Sequence, residues 1–98
     1  MESGRYGRKE QVLKHLSNYR GIESNVTCPY AVTQDGIADN IGISRANASI
    51  VLKKLESSGM VCHEKRHVNG GKVVRNCYAL MPQGWLEVQR IDTMREVA

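Results

Sequence analysis

Phenylalanine is missing from this sequence, and tryptophan occurs only once among its 98 residues. The hydrophobic core must therefore be built mainly from Ile, Leu, Val, Met and Ala, which suits packed helices. Long apolar runs are also missing. No stretch reaches the ~20 residues needed to cross a bilayer, and the charged N-terminus has no apolar signal core. We therefore expect a cytoplasmic protein with no membrane partner.

Cysteine is scarce as well, with three residues and no Cys-x-x-Cys pair. This number and spacing favour neither a disulfide framework nor a four-ligand zinc site. The sequence predicts reduced thiols, as is usual in the cytoplasm. We expect no metal and no cofactor. His63 and His67 would share one face of a predicted strand, but a third ligand is not evident there, so metal sensing is the less favoured alternative.

Positive charge is concentrated in one third of the chain. Residues 44–78 contain seven basic residues and two acidic ones, a net charge of +5. Because the whole chain has a net charge of +4, the remainder carries −1. A surface that faces phosphates requires such a concentration. The basic residues in this region are Arg45, Lys53, Lys54, Lys65, Arg66, Lys72 and Arg75.

The first part of the chain predicts a helix and a loop. Apolar residues at helical spacing between good helix formers indicate a helix over residues 6–19. Residues 21–32 show little periodicity and are expected to form a loop. Ala31 and Val32 are interpreted as a short edge strand at its end.

A pair of helices joined by a short turn is predicted next. Thr33 and Ser44 are good N-caps, and Gly42 between them permits the backbone to turn. The helix after Ser44 is expected over residues 45–58, with Gly59 at the left-handed cap position. Two capped helices joined in this way define a helix-turn-helix. The side chains predicted to face inward are Ile37, Ala38, Ile41, Ala48, Val51, Leu52 and Leu55.

A hairpin is predicted after this motif, with strands over residues 60–68 and 72–80. Asn69 and Gly70 favour a two-residue turn, because both central residues of that turn need a positive φ. Counting outward from this turn places Cys62 opposite Cys77. Two facing thiols allow an oxidation switch, although two ordinary packing residues are the favoured interpretation.

The chain is expected to end in a further helix. Pro82 stops the second strand, and residues 83–96 are interpreted as helical. The side chains expected to pack inward from it are Trp85, Leu86, Val88 and Ile91.

Five motifs within residues 33–84 resemble the winged helix-turn-helix transcription regulators, particularly the MarR-like group. The motifs are Ile37-Ala38, Gly42-Ile43-Ser44, residues 48–55, Glu56-x-x-Gly59-Met60-Val61 and Tyr78-x-Leu80-x-x-x-Gly84. The resemblance implies an α+β, mostly α fold with a three-helix core, a β-hairpin wing and a C-terminal helix. We expect residues 1–98 to form a single domain of this kind. In that family, the helix equivalent to residues 45–58 enters the major groove and the wing touches the neighbouring backbone or minor groove. The chain differs in lacking the family's long dimerisation helices and its usual wing sequence.

The helical geometry itself selects the residues that would face DNA. With the inner face buried, the outer face and N-terminal end of the 45–58 helix remain exposed. There the Arg45 side chain can hydrogen-bond to guanine and the Asn47 side chain to adenine. Ala46 and Ile50 can make apolar contacts with thymine methyl groups. The basic wing, residues 62–78, would contribute salt-sensitive phosphate contacts. The expected DNA-binding residues are Ser44, Arg45, Ala46, Asn47, Ser49, Ile50, Lys53, Lys65, Arg66, Lys72 and Arg75.

The sequence thus predicts sequence-specific binding of double-stranded DNA and a role in transcriptional regulation. No catalytic set or phosphate-binding glycine loop is evident, so an enzyme is not expected. The last helix allows a homodimer, whose twofold symmetry would match a palindromic site. The alternative is a winged-helix module that docks protein partners and does not bind DNA.

Overall fold

A computed structural model describes residues 7–20 and 27–97. Within these residues, four α-helices and three strands follow one another as α1 (Arg8–Leu16), β1 (Thr27–Cys28), α2 (Gln34–Ile41), α3 (Arg45–Ser57), β2 (Val61–Val68), β3 (Val74–Leu80) and α4 (Pro82–Val97). The strands form one sheet in the order β1-β2-β3, with β1 parallel to β2 and β2 antiparallel to β3. The predicted class, α+β and mostly helical, is confirmed. The predicted start of α1 at Tyr6 and the loop residues 21–26 lie outside the described residues.

Helices α2 and α3 form the predicted helix-turn-helix, and the predicted caps are confirmed. The hydroxyl of Thr33 accepts a hydrogen bond from Gly36 N, and that of Ser44 accepts one from Asn47 N. Between the helices, Gly42 has a φ of 75°, which L side chains rarely adopt. The backbone N–H groups of Gly42 and Ile43 both donate to the carbonyl of Ala38 and close the turn.

A close approach at Gly36, which sequence analysis did not identify, positions the start of α2. A Cβ atom added there would lie 1.9 Å from the carbonyl oxygen of Tyr30. Tyr30 belongs to a short 3-10 helix, Tyr30–Val32, that precedes α2. The prediction of an edge strand at Ala31 and Val32 is therefore wrong. The extended segment is β1, where Thr27 and Cys28 pair with β2.

The core lies between the helices and the sheet, and residues from both faces of β3 are buried in it. Each side chain that was predicted to face inward from α3 is buried, and Ile37 and Ala38 are buried on α2. On α4, Val88 and Ile91 are buried and Trp85 is partly buried. The prediction for Leu86 is wrong, since this residue is 65% exposed. The remaining buried apolar residues are Val12, Leu13, Leu16, Val32, Val61, Tyr78 and Leu80, together with Cys28, Cys77 and Ala79.

The hairpin register differs by two residues from the predicted one. Asn69 and Gly70 have the expected positive φ values of 55° and 75°, and Gly71 N donates to the carbonyl of Val68. However, Val68 N donates to the carbonyl of Val73, so two further residues join the loop before β3 begins. Since a shift of two preserves the alternation of side chains, each side chain stays on the sheet face that the predicted register gives it.

Cys62 consequently faces Ala79, and Cys77 faces Glu64. The predicted pairing of Cys62 with Cys77 is therefore wrong. Cys77 instead forms a disulfide with Cys28, with the two Cα atoms 6.6 Å apart and both residues buried. The expectation of reduced thiols is wrong for these two residues, because β1 brings Cys28 against the sheet from a distant part of the sequence.

Arg66 is a charged residue within the packed part of β2. Its side chain is 9% exposed, and Nη2 lies 2.5 Å from Oε1 of Glu64. In an alternating strand, Arg66 shares a sheet face with Glu64 and therefore with its cross-strand neighbour Cys77. Cys28 is bonded to Cys77 on this same face, so the buried Arg66 lies on the face of β2 that carries the disulfide.

Reduction of the disulfide is expected to lower the free energy of unfolding by about 2–4 kcal/mol, because the bond restricts the unfolded chain. Its two cysteines are separated by 49 residues in sequence. Denaturant unfolding with and without a thiol reductant measures the loss. Cys62→Ser is the matched control and should lose the same stability as the wild type when the reductant is added. The double variant Cys28→Ser/Cys77→Ser should unfold identically in both conditions. Equal stability of the wild type in both conditions would contradict the prediction.

Arg66→Ala is expected to lower the free energy of unfolding by about 1–2 kcal/mol, since it removes a packed side chain and its ion pair. This is less than the loss for a fully buried pair, because Glu64 remains exposed to water. The neighbouring exposed variant Lys65→Ala should stay within about 0.5 kcal/mol of the wild type. Thermal unfolding followed by circular dichroism compares the two. Equal stability of both variants would refute a structural role for Arg66.

Candidate nucleic-acid interface

The outer face of α3 is exposed along its whole length. Its inner residues pack on α1 and α2, and this burial turns the opposite face to solvent. Ser49 lies at the border and is half-buried. The predicted contact residues of this helix and its cap that are exposed are Ser44, Arg45, Ala46, Asn47, Ile50 and Lys53.

The N-terminal end of α3 is organised by contacts with α2. Gln34 Nε2 donates to the carbonyl of Arg45 over 3.1 Å, which holds the first residue of α3 against the first turn of α2. Nε of Arg45 lies 3.2 Å from Oδ1 of Asp35, while the arginine side chain remains 72% exposed. The helix end therefore presents a positioned guanidinium to solvent.

The middle of the exposed face has a mixed character. Ile50 is 52% exposed, and Ala46 lies one helical turn before it. Lys53 follows Ile50 by three residues and is also exposed. A short apolar strip between an arginine and a lysine suits a surface that meets base methyl groups and phosphates together.

The wing adds three exposed cations to this surface. Lys65, Lys72 and Arg75 project into solvent, and Nη1 of Arg75 donates to the carbonyl of Val74. The structure places the fourth predicted wing cation, Arg66, against Glu64. The wing thus exposes basic side chains on both of its strands and its loop.

Strand β1 fixes the base of the wing loop. The Thr27 hydroxyl donates to the carbonyl of His67 and accepts a hydrogen bond from Gly70 N, each over 2.7 Å. Asn69 N donates to the carbonyl of Cys28 over 2.7 Å. These contacts attach the tight turn to β1, so the position of the wing depends on a segment more than 30 residues earlier in sequence.

A cleft connects the wing loop to the start of α2. It is lined by Tyr30, Thr33 and Asp35 on one side and includes Lys72, Val73 and Arg75 on the other. The tyrosine hydroxyl donates to Oδ2 of Asp39, and this hydrogen bond raises the pKa of Tyr30 above its usual value. The cleft brings the carboxylate of Asp35 near the wing cations, in addition to its contact with Arg45.

Tyr30, Asp35 and Asp39 were not among the residues predicted to belong to this region. Asp35 was visible only as an acidic residue at the positive end of α2, and its partner Arg45 follows ten residues later across the turn. The ion pair could be predicted from one pattern: a carboxylate in the first turn of one helix is followed by an arginine in the first turn of the next. Tyr30 has no comparable signal, because its contact depends on the 3-10 helix.

The histidines that suggested metal sensing have other partners. Nδ1 of His63 lies 2.7 Å from Oε2 of Glu56, and Nδ1 of His67 lies 2.9 Å from the carbonyl oxygen of Gly71. Within residues 7–20 and 27–97, the structure contains no group of three or more His, Cys, Asp or Glu side chains suited to hold a metal ion. In the same part of the chain, none of the helices has the length and apolar character to span a membrane.

No protein-family model matches the chain, and the comparison with curated proteins gives no match. Solved structures do match. A mutant of MepR from S. aureus aligns over 97% of this chain and 62% of its own length, with a TM-score of 0.69 and 17% identity. The S. aureus MepR–DNA complex aligns over 97% and 60%, with a TM-score of 0.66 and 16% identity. A MarR family transcription regulator aligns over 97% and 58%, with a TM-score of 0.64 and 18% identity.

The chain spans about three fifths of the length of these proteins. MepR and the MarR family protein are described as transcription regulators. At this level of identity the shared feature is the fold: helix-turn-helix, hairpin wing and flanking helices in the same arrangement. The chain is therefore similar to the MarR-family transcription regulators and has their winged helix-turn-helix fold.

Proposed function

We propose that this protein binds double-stranded DNA in a sequence-specific manner and acts in transcriptional regulation. The observation that carries the proposal is the exposure of two elements, the outer face of α3 and the basic side chains of the wing. The helix exposes Arg45, Asn47 and Ile50, and the hairpin exposes Lys65, Lys72 and Arg75. A helix with exposed polar and cationic groups at its N-terminal end is the element that helix-turn-helix proteins place in the major groove.

We assign base contacts to the first turns of α3. Arg45 has the hydrogen-bond donors that guanine accepts, and Asn47 has the donor and the acceptor that adenine requires. Ala46 and Ile50 suit apolar contacts with thymine methyl groups. Ser44 and Ser49 flank these positions. Because the Ser44 hydroxyl already accepts the capping hydrogen bond, its contribution to DNA would be a further donor to phosphate.

We assign phosphate contacts to Lys53 of α3 and to Lys65, Lys72 and Arg75 of the wing. Their charges are exposed, and such contacts give salt-sensitive affinity without sequence information. For Arg66, which sequence analysis included among the DNA contacts, burial and the ion pair with Glu64 favour a structural role.

The proposal extends to the organisation of the protein. Residues 1–98 would act as a single domain in the cytoplasm, and a homodimer would match the twofold symmetry of a palindromic site. The S. aureus MepR–DNA complex supports DNA as the partner of this fold, since that regulator was solved bound to DNA.

Replacing Lys65 and Lys72 by Ala is expected to weaken binding to every duplex and to flatten the dependence of log K on log salt by roughly one unit for each lost phosphate contact. Binding of a generic duplex across a series of salt concentrations measures the slope. Arg20→Ala is the control, because it removes an exposed positive charge that borders α4 and lies outside α3 and the wing. A wild-type protein that binds no duplex at low salt would instead support a module for protein partners.

Arg45→Ala or Asn47→Ala is expected to cost ~1–3 kcal/mol on a specific site and to relax the preference at one base pair of each half-site. Competition titrations against selected and random duplexes measure both effects. Lys54→Ala, an exposed residue on the same helix that we assign to no base, should not alter the preference. Equal losses on selected and random duplexes would show that Arg45 and Asn47 contact only the backbone.

A further inference from the structure

The ion pair between Arg45 and Asp35 joins the first turns of the two helices of the helix-turn-helix, at the N-terminal end of α3. Its 3.2 Å contact uses Nε of the guanidinium, and Asp35 is the less exposed partner at 30%. Asp35 lies in the first turn of α2, which the Thr33 hydroxyl caps. Within residues 7–20 and 27–97, no other carboxylate forms an ion pair with Arg45. The carboxylate therefore has a fixed position, and it holds the Nε edge of the exposed Arg45 guanidinium.

The anchored edge determines which donors of Arg45 face outward. A guanidinium has five N–H donors in a planar fork, and occupation of Nε leaves the two terminal nitrogens available. These terminal nitrogens are the pair that contacts O6 and N7 of guanine. A phosphate that approached the same arginine would come close to the Asp35 carboxylate and be repelled by it.

We propose that Asp35 is a specificity-determining residue of the DNA interface, which positions Arg45 for a guanine and disfavours its use as a phosphate contact. This inference rests on the proposed function. Asp35 acts through Arg45, and the carboxylate itself touches no base. The Asp35 carboxylate thus lowers the affinity for all DNA to some extent. It also increases the difference between the affinity for the preferred site and the affinity for unrelated DNA.

The other carboxylate of α2 provides a matched comparison. Asp39 is exposed, lies one turn further along the helix, and accepts the hydrogen bond from the Tyr30 hydroxyl. Helix α2 contains these two acidic residues and no basic one. Asp35→Asn and Asp39→Asn therefore remove the same charge from the same helix, but only the first variant removes the negative charge that pairs with Arg45.

The experiment begins with selection of duplexes from a pool with a randomised 20-base-pair segment. Wild type, Asp35→Asn, Asp39→Asn and Arg45→Ala are used in parallel. The wild type and Asp39→Asn are expected to enrich a motif with the same guanine. Arg45→Ala is expected to lose that guanine, and Asp35→Asn to show a weakened preference for it.

Equilibrium titrations then compare the wild-type motif with a scrambled duplex. For Asp35→Asn, binding to the scrambled duplex should rise about two- to fivefold, the size expected of one exposed ion pair. The ratio of the two affinities should fall about three- to tenfold. Asp39→Asn should shift both affinities by the same factor and leave the ratio unchanged. In the Arg45→Ala background, Asp35→Asn should no longer lower the ratio.

The outcomes separate the inference from the function on which it rests. If the wild type enriches no motif and binds no duplex, the proposed function is rejected and the inference with it. If the wild type enriches a motif and Asp35→Asn retains the same guanine and the same affinity ratio, DNA binding stands and the role of Asp35 is overturned. Equal loss of the ratio in Asp35→Asn and Asp39→Asn would also overturn it, because the effect would then be one of charge alone.

Discussion

The buried hydroxyl of Thr33 connects the helix-turn-helix to the rest of the molecule. It caps α2 by accepting from Gly36 N and donates to the carbonyl of Tyr30. The backbone of Thr33 forms a bridge with Cys77 of β3. A single residue therefore sets where α2 starts, how the 3-10 helix approaches it, and where both lie relative to the sheet. Because α3 packs on α2, the orientation of the proposed recognition surface follows from this position.

The wing is held by a second set of contacts that reaches the same part of the sheet. Thr27 and Cys28 of β1 hydrogen-bond to the residues around the Asn69-Gly70 turn, and the disulfide joins Cys28 to the residue that pairs with Thr33. The helix and the hairpin that would contact DNA are thus attached to neighbouring points of one sheet. This arrangement fixes the distance between them, as a surface that spans adjacent features of a duplex requires.

The electrostatics of the surface are not uniformly basic. The wing cations and Lys53 face solvent, whereas α2 carries only carboxylates beside the first turn of α3. Arg66 contributes to the net charge of the sequence, but its charge is directed to Glu64 within the protein. Net charge by itself therefore overstates the number of cations available to phosphates. The side-chain partners decide which of them are available.

Local physical chemistry in the sequence was sufficient for the helices, their caps, the buried face of α3 and the Asn69-Gly70 turn. Each of these depends on residues within one or two turns of chain, through capping hydrogen bonds, helical periodicity or a positive φ. The exposed residues of α3 followed directly, because the opposite face had to be buried. Nine of the eleven expected contact residues are exposed, which leaves half-buried Ser49 and buried Arg66.

Only the tertiary structure decided the hairpin register, the Cys28–Cys77 disulfide, the burial of Arg66 and the pairing of Arg45 with Asp35. The register depends on which carbonyl the N–H of Val68 reaches, and the position of β1 beside the turn contributes to that choice. The disulfide requires a strand that lies dozens of residues away in sequence, and the burial of Arg66 requires the packed sheet around it. The ion pair requires two helices to meet at their first turns. Contacts between distant segments leave no periodic signal in a single sequence, so these features emerge only when the chain is folded.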